Sequence, residues 1–185
     1  FVLYRGTEPL PQDYRLTGNL VLGAGLSGSQ TVTGAQVTER LILRCATGTE
    51  LTLTEASAGE VSVASNLTVW GAGTFPLLVS AGSGAQTELN AAQLEVFGPG
   101  TLSGHYETAS VHCGGVTLSG DIDRLTVTAA GAVVELQGQV GEVLLPMDRV
   151  RLTGSGYARR VVVQGRHCAV ELACGELVDQ VDWGL

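Results

Sequence analysis

The stretch VTLSGDIDRLTVTAAGAVVEL, residues 116–136, contains the pattern that decides the fold. Apolar-x-apolar triplets stand at 116–118 and 125–127, a single apolar residue, Ile122, lies between them, and the first triplet returns at 134–136. Successive side chains of a β-strand point to opposite faces, so each triplet predicts a short strand with two buried side chains. The Gly and Ala residues between the triplets are typical of corners.

The two triplets recur through the C-terminal part of the chain as two interleaved series. The first series begins at Leu125, Val143, Val161 and Val181, and the second at Val116, Val134, Val150 and Val170. The single apolar residues expected to fill a third side are Ile122, Val140, Tyr157 and Leu177. Two strand series with one shared period indicate a repeated coil, so the sequence predicts an all-β, single-domain parallel β-helix (β-solenoid) with about 16–20 residues per rung.

The N-terminal half carries similar triplets at irregular spacing. Runs such as 51–53 and 61–63 have the same apolar-x-apolar form, and we expect loops to bulge between them. Residues 1–16, which include Pro9 and Pro11, break the pattern and predict a cap on a solenoid that spans 17–185. A β-sandwich or jelly roll is the alternative fold, because it also consists of many short strands. The fixed two-strand period favours the solenoid.

The composition excludes several classes of protein. The chain has 185 residues, of which 44% are hydrophobic and 15% charged, which is the reverse of a disordered segment. Its net charge of −8 argues against a nucleic-acid partner. No run of about 18 apolar residues is present in the sequence, so no membrane span is expected. Because the chain begins at Phe1 without a signal-peptide pattern, we expect a processed product or a piece of a longer protein.

If equivalent residues stack in neighbouring rungs, the period predicts two features of the outer surface. Glu135, Arg151 and Glu171 occupy the same outward position of the second series and are expected to form a ladder of alternating charge. Leu144 and Val162 occupy the same outward position of the first series and are expected to form an apolar interaction patch. A loop that covers these two residues is the alternative interpretation of the patch.

The four cysteines share the parity of the buried strand positions: Cys45, Cys113, Cys168 and Cys174. We therefore expect them to point inward and to behave as small hydrophobic side chains. They form no C-x-x-C pair and have no His at ligand spacing, so neither a metal site nor a cofactor is expected. Whether Cys168 and Cys174 form a disulfide is left open by the sequence.

Candidate binding residues fall into an aromatic set and a basic set. Trp70, Phe97 and Trp183 each follow an apolar-x-apolar run, where an aromatic face could emerge at a corner and stack on a sugar ring or anchor a partner. The basic set could bind an acidic or sulfated glycan, or could instead pair with neighbouring acidic residues, and consists of Arg149, Arg151, Arg159 and Arg160.

Two other patterns carry weaker functional interpretations. Four carboxylates in near-equivalent turns could converge as acid and base groups, namely Asp121, Asp123, Glu142 and Asp148. Turn residues of a solenoid are also polar simply because they are solvated, and we do not predict an enzyme. Thr-x-Thr pairs at 31–33, 52–54 and 126–128 are similar to the hydroxyl rows of ice-binding faces. Such a face needs the pair in nearly every rung, so we do not assign that function.

Two stretches carry a resemblance to a known group of proteins. Residues 150–156 (VRLTGSG) and 160–165 (RVVVQG) resemble the solenoid regions of large bacterial cell-surface or secreted proteins. Those regions are pectate-lyase-like β-helices without the catalytic cluster. The resemblance, which covers mainly 115–185, implies a non-enzymatic structural or adhesive module that is extracellular or at the cell surface and contacts a glycan or another surface protein. The alternatives are a carbohydrate-binding module and a self-assembling filament subunit that stacks end to end.

Overall fold

The computed structural model describes residues 2–4, 10 and 12–184, with side-chain burial for 10 and 12–184. Every regular element in this part of the chain is a β-strand. The strands are β1 (Val2–Tyr4), β2 (Arg15–Leu16), β3 (Leu20–Leu22), β4 (Ser29–Thr33), β5 (Gln36–Leu43), β6 (Glu50–Thr54), β7 (Ser57–Val63), β8 (Thr68–Ser80), β9 (Ala85–Val96), β10 (Gly100–Val111), β11 (Val116–Val127), β12 (Val133–Leu136), β13 (Gln139–Leu145), β14 (Arg151–Val163) and β15 (Ala169–Asp179). Among the described residues there is no helix long and apolar enough to cross a bilayer.

All strand pairs are parallel, and each strand pairs with its equivalents one turn away along the chain. This pairing makes a β-solenoid of about nine turns and confirms the predicted fold class. It also excludes the β-sandwich and jelly-roll alternatives, whose sheets are antiparallel. One face contains β4, β6 and the first half of β8, and the other contains β3, β5, β7 and the second half of β8. From β8 to β11, one long strand in each turn bends from the first face to the second.

One column of inward positions follows the coil along its length. Its members pair in register from turn to turn and are Leu20, Leu41, Val61, Leu78, Leu94, Ala109, Leu125, Val143, Val161 and Leu177. All are buried except Leu177, which lies in the last turn and is 57% exposed. The turn from Leu20 to Leu41 is the longest in this column, and the turn from Leu94 to Ala109 is the shortest. The N-terminal half is thus part of the same coil, with turn lengths that vary slightly more than predicted.

Glycine is required where the long strands bend. Gly120 and Gly154 have φ angles of 123° and 122°, which are strained for any other residue. A Cβ atom on Gly120 would collide with the carbonyl oxygen of Gly104, and one on Gly154 with that of Leu136. The close approach of successive turns at this bend therefore depends on the missing side chains.

The interior is lined mainly by Leu, Val and Ala, as the composition indicates. The largest fully buried side chain is Tyr106, whose hydroxyl donates a hydrogen bond to the carbonyl oxygen of Ser103 at 3.0 Å. Burial raises the pKa of the Tyr106 phenol because the charged form would lose its hydration.

The inward placement of the cysteines is confirmed. Cys45 is fully buried in the core, and Cys113, Cys168 and Cys174 are half-buried and pack against it. All four thiols are free, so Cys168 and Cys174 are not bridged. Burial raises the pKa of Cys45 to about 11, and it also raises the pKa of Cys113.

The predicted charge ladder of Glu135, Arg151 and Glu171 is wrong. Thr153, not Arg151, lies between Glu135 and Glu171, while Arg151 lies between Val133 and Ala169. The second series is evenly spaced and runs through Val116, Val134, Leu152 and Val170. The sequence pattern places the third member of this series at Val150 instead of Leu152, because both residues are buried. A register shift of two residues keeps every side chain on the same face of the strand, so the pattern cannot distinguish the two positions.

The third side also differs from the prediction in the last two turns. Ile122 and Val140 align as expected, but the column continues through Ala158 and Cys174. Tyr157 is exposed and points outward. The residue that follows Val161 in the first series is Leu177, whereas the spacing predicts Val181. The reason is that the last turn, from Val161 to Leu177, is shorter than the turn before it, and β15 ends before Val181.

The segment 1–16 is described only in part. β1 pairs with β3 and β2 pairs with β5, in both cases in parallel. Residues 1, 5–9 and 11 lie outside the described residues, and Pro9 and Pro11 are among them. The cap therefore stays a prediction.

Candidate functional site

An open aromatic groove on the described surface is built around Trp70. Trp70 lies in β8 at an outward position, with Thr52 of β6 one turn before it and Glu88 of β9 one turn after it. The Trp70 side chain is 36% exposed. We call this site the Trp70 groove: it has a volume of about 360 Å³ and is lined by Thr52, Leu53, Thr54, Trp70, Gly71, Ala72 and Glu88.

A bulge in β8 forms one wall of the Trp70 groove. Trp70 pairs with Glu88 and Thr74 pairs with Asn90, so β8 is longer than β9 over this interval by two positions. The chain turns outward through 71–73, where Gly73 has a φ angle of 100°. A register shift of the same size occurs in β14, between Thr153 and Tyr157, so the bend of the long strands accommodates extra residues at more than one turn.

Gly71 lines the groove through its backbone. It pairs with the buried Leu53 of β6, and a Cβ atom at this position would lie 2.9 Å from Cδ2 of Leu89 and 3.0 Å from Cβ of Leu53. Both leucines are buried, so a side chain at position 71 would enter the interior of the coil and not the groove. On this side of Trp70 the groove is therefore bounded by backbone and by the small residues Gly71 and Ala72.

The rim of the groove is polar. The Thr52 and Thr54 side chains are exposed, and both align with threonines of the preceding turn, Thr31 and Thr33. These four residues form a hydroxyl array of two rows and two turns. Glu88 is exposed and makes no ion pair within the part of the chain that the structure describes. The site thus combines an aromatic face, several hydroxyl groups and one carboxylate.

Comparisons with known proteins add no assignment for this site. No protein-family model, curated protein or solved structure matches the chain. The function of the Trp70 groove is therefore inferred from the chemistry of its own residues.

Phe97, the second predicted aromatic, lies just beyond the end of β9 and is 55% exposed. Its ring stacks on the imidazole of His112 in the next turn, with 4.5 Å between ring centroids and an interplanar angle of 11°. One face of Phe97 is thus occupied by another side chain, which limits stacking with a ligand.

His112 is itself held by hydrogen bonds on both ring nitrogens. Nε2 lies 2.6 Å from Oε2 of Glu95, and Nδ1 lies 2.6 Å from the hydroxyl of Thr128. The Thr128 hydroxyl also donates to the carbonyl oxygen of Val111 at 3.2 Å, and Gln93 donates to the second oxygen of Glu95 at 2.7 Å. This network fixes the Phe97–His112 stack.

Trp183, the third predicted aromatic, follows β15 and lies outside the strands. It is 53% exposed and contacts His167 edge to face at a centroid distance of 6.0 Å. The guanidinium of Arg166 donates two hydrogen bonds, of 3.1 and 2.8 Å, to the carbonyl oxygen of Asp182. The segment that carries Trp183 is thereby fastened to the preceding turn.

The predicted basic set is divided between different contacts. Arg151 forms two hydrogen bonds to Glu171, of 3.1 and 2.7 Å, and this contact raises the pKa of Arg151. Arg160 lies between Glu142 and Glu176, at 3.3 and 3.4 Å. These two arginines follow the alternative interpretation, pairing with acidic neighbours.

The other two predicted arginines, Arg149 and Arg159, make no ion pair among the described residues. Arg149 lies in the turn before β14 and has a φ angle of 59°. Arg159 lines a polar cleft of about 450 Å³ together with Asp123, Arg124, Gly141 and Glu142.

A charge ladder does exist, at a position that the sequence interpretation missed. It occupies the outward position before each triplet of the first series and consists of Arg124, Glu142, Arg160 and Glu176, aligned in successive turns. In the N-terminal half, the equivalent pair is Arg40 and Glu60, at 3.1 Å. The signal was the charged residue directly before the triplets that begin at Leu125, Val143 and Val161, which alternates in sign from turn to turn.

The predicted apolar patch is small. Leu144 and Val162 are neighbours in adjacent turns, as expected from the period. Val162 is only 7% exposed, so it offers little surface to a partner.

The four acidic turn residues have separate environments. Asp121 and Asp123 lie on one strand, Glu142 pairs with Arg160, and Asp148 accepts a hydrogen bond from the backbone N–H of Arg166 at 2.8 Å. Within the described residues no group of three or more His, Cys, Asp or Glu side chains is arranged to hold a metal ion.

Proposed function

We propose that this chain is a non-enzymatic structural or adhesive module of an extracellular bacterial protein. The observation that carries the proposal is the use of charged side chains along the coil. In the ladder of Arg124, Glu142, Arg160 and Glu176, each charge faces an opposite charge one turn away. Such an arrangement favours this register of the turns over registers that would place like charges next to each other.

The dimensions of the coil suit a spacer or a display surface. About nine turns at a spacing of about 4.8 Å give a rod roughly 40 Å long. Solenoids present extended surfaces on which equivalent positions recur at each turn, and this regularity is suited to contact with elongated partners. The resemblance of 150–156 and 160–165 to bacterial surface solenoids supports the same role.

Carbohydrate recognition is the second candidate function, and the Trp70 groove favours it. An exposed indole face next to hydroxyl and carboxylate groups can bind both the apolar face and the polar edge of a sugar. In this case the module would adhere by binding a glycan on the partner surface.

Localisation and activity test the proposed function. Antibodies raised against the chain should label intact cells of the bacterium that encodes it, or the surrounding medium. Labelling confined to the cytoplasm would contradict an extracellular role. Purified protein should produce no new reducing ends from a panel of polysaccharides, and sustained cleavage that scales with protein concentration would contradict a non-enzymatic role.

A further inference from the structure

We infer that the Trp70 groove binds a pyranose that carries no acidic group, either neutral or with an amino substituent. This inference rests on the proposed adhesive function and names its ligand class. It follows from three properties of the groove: the exposed indole, the hydroxyl array and the lone carboxylate.

The indole and the small residues beside it define the shape of the ligand. Trp70 is flanked in its column by Thr52 and Glu88, and neither of these two neighbours has a ring that could stack on it. The bulge at 71–73 lies beside the ring, and its lining residues Gly71 and Ala72 carry no large side chain. A flat ligand with one apolar face fits against the indole, and the axial C–H groups of a pyranose supply such a face.

Glu88 defines the charge of the ligand. Of the described residues that line the groove it is the one with a charged side chain, and the chain as a whole carries a net charge of −8. A carboxylate accepts hydrogen bonds strongly from adjacent sugar hydroxyls or from a protonated amine. A uronate or sulfated sugar would place a second negative charge beside it and be repelled.

The hydroxyl array defines the direction of a longer ligand. Thr31 and Thr33 continue the rows of Thr52 and Thr54 one turn away, at a spacing of about 4.8 Å. Hydroxyl groups both donate and accept hydrogen bonds, as sugar hydroxyls do. An oligosaccharide anchored at Trp70 therefore extends along the coil axis over these threonines.

Tryptophan fluorescence gives a direct measurement. The sequence contains two tryptophans, so Trp183→Phe leaves Trp70 as the single reporter. We expect its emission to change on titration with a neutral hexose oligosaccharide or a glucosamine oligomer, and to stay constant with a uronic-acid oligomer of the same length. Preferential binding of the uronic-acid oligomer would overturn the inference, as would the absence of binding in all three titrations.

Variants of the full chain identify the site. Isothermal titration with the ligand that binds should show about a tenfold lower affinity for Trp70→Ala. Phe97→Ala removes an exposed aromatic away from the groove and is the matched control, with unchanged affinity expected. Equal losses in the two variants would place the binding elsewhere and overturn the inference.

Glu88→Gln keeps the shape of the side chain and removes its charge. It therefore tests the groove independently, even if Trp70→Ala fails to fold. We expect it to weaken binding of a glucosamine oligomer about tenfold and of a neutral oligomer about threefold. Unchanged affinity for both oligomers would contradict the role of the carboxylate.

If the chain is displayed on cells but binds no sugar, the inference about the groove fails and the proposed function stands. If it is confined to the cytoplasm, the proposed function fails.

Discussion

Ionisation of Cys45 should destabilise the protein in alkaline solution. Its side chain is 2% exposed, and burial raises its pKa from 9.0 to about 11 because the thiolate would lose its hydration. In the unfolded chain the thiol ionises near 9.0, so the folded state holds the proton more tightly. The resulting contribution to stability is complete below about pH 9 and is lost as the pH rises from about 9 to about 11. The difference between these two pKa values sets its upper limit at about 3 kcal/mol.

Urea unfolding of the native protein and of Cys45→Ala, at half-unit steps from pH 8 to pH 11, measures this contribution. Other alkaline titrations, including those of Tyr106 and Cys113, occur in both proteins, so the difference between the two free energies of unfolding isolates Cys45. We expect the advantage of the native protein to shrink by about 2–3 kcal/mol over this range. If the two curves instead run parallel, the thiol either ionises in the folded state without cost or lies closer to water than its burial indicates.

Three further predictions concern the coil itself. Gly154→Ala should lower the free energy of unfolding by about 3 kcal/mol or more, because the added Cβ atom would collide with the backbone of the preceding turn. Gly131 also has a positive φ but has open space around it, so Gly131→Ala should cost about 1 kcal/mol. Equal losses of stability for the two variants in chemical denaturation would contradict the packing argument. Arg160→Ala should lower the free energy of unfolding by about 1 kcal/mol, after allowance for solvent screening. The loss should exceed that of Arg151→Ala, because Arg160 is less exposed than Arg151 and contacts two glutamates instead of one. The reverse order of the two losses in urea unfolding would refute this prediction. Tyr106→Phe should cost about 1 kcal/mol for the lost hydrogen bond, and a more stable variant in thermal melts would show that the hydroxyl is poorly satisfied.

The fold could be predicted from the sequence because one property repeats in every turn. Buried side chains must alternate with outward ones, and Val116, Leu125 and Val134 express this alternation at a regular interval. The slip at Arg151 marks the limit of the pattern. A shift from one buried position to the next preserves which side chains are buried, so hydrophobicity alone cannot choose between Val150 and Leu152 as the start of a strand.

The site was predicted less completely, for a related reason. The place of Trp70 after an apolar run predicts its exposure, but nothing in the sequence pattern assigns Thr52, Thr54 and Glu88 to the same site. They lie one turn of the coil away along the chain and become neighbours only through the register of β6, β8 and β9. Turn lengths vary in this half of the chain, so the extra residues at 71–73 can be recognised as an insertion only once the strand pairing is known.

The bulge at 71–73 also has a consequence for how this coil tolerates changes in length. Val69 and Phe75 keep their partners Thr87 and Ala91 on either side of the bulge, so the additional residues leave the pairing of these inward positions unchanged. Length can therefore change at this corner independently of the columns that hold the turns together. Short insertions or deletions here would alter the surface beside Trp70 without shifting the register of the turns, which makes this corner a suitable place to insert a peptide or a label.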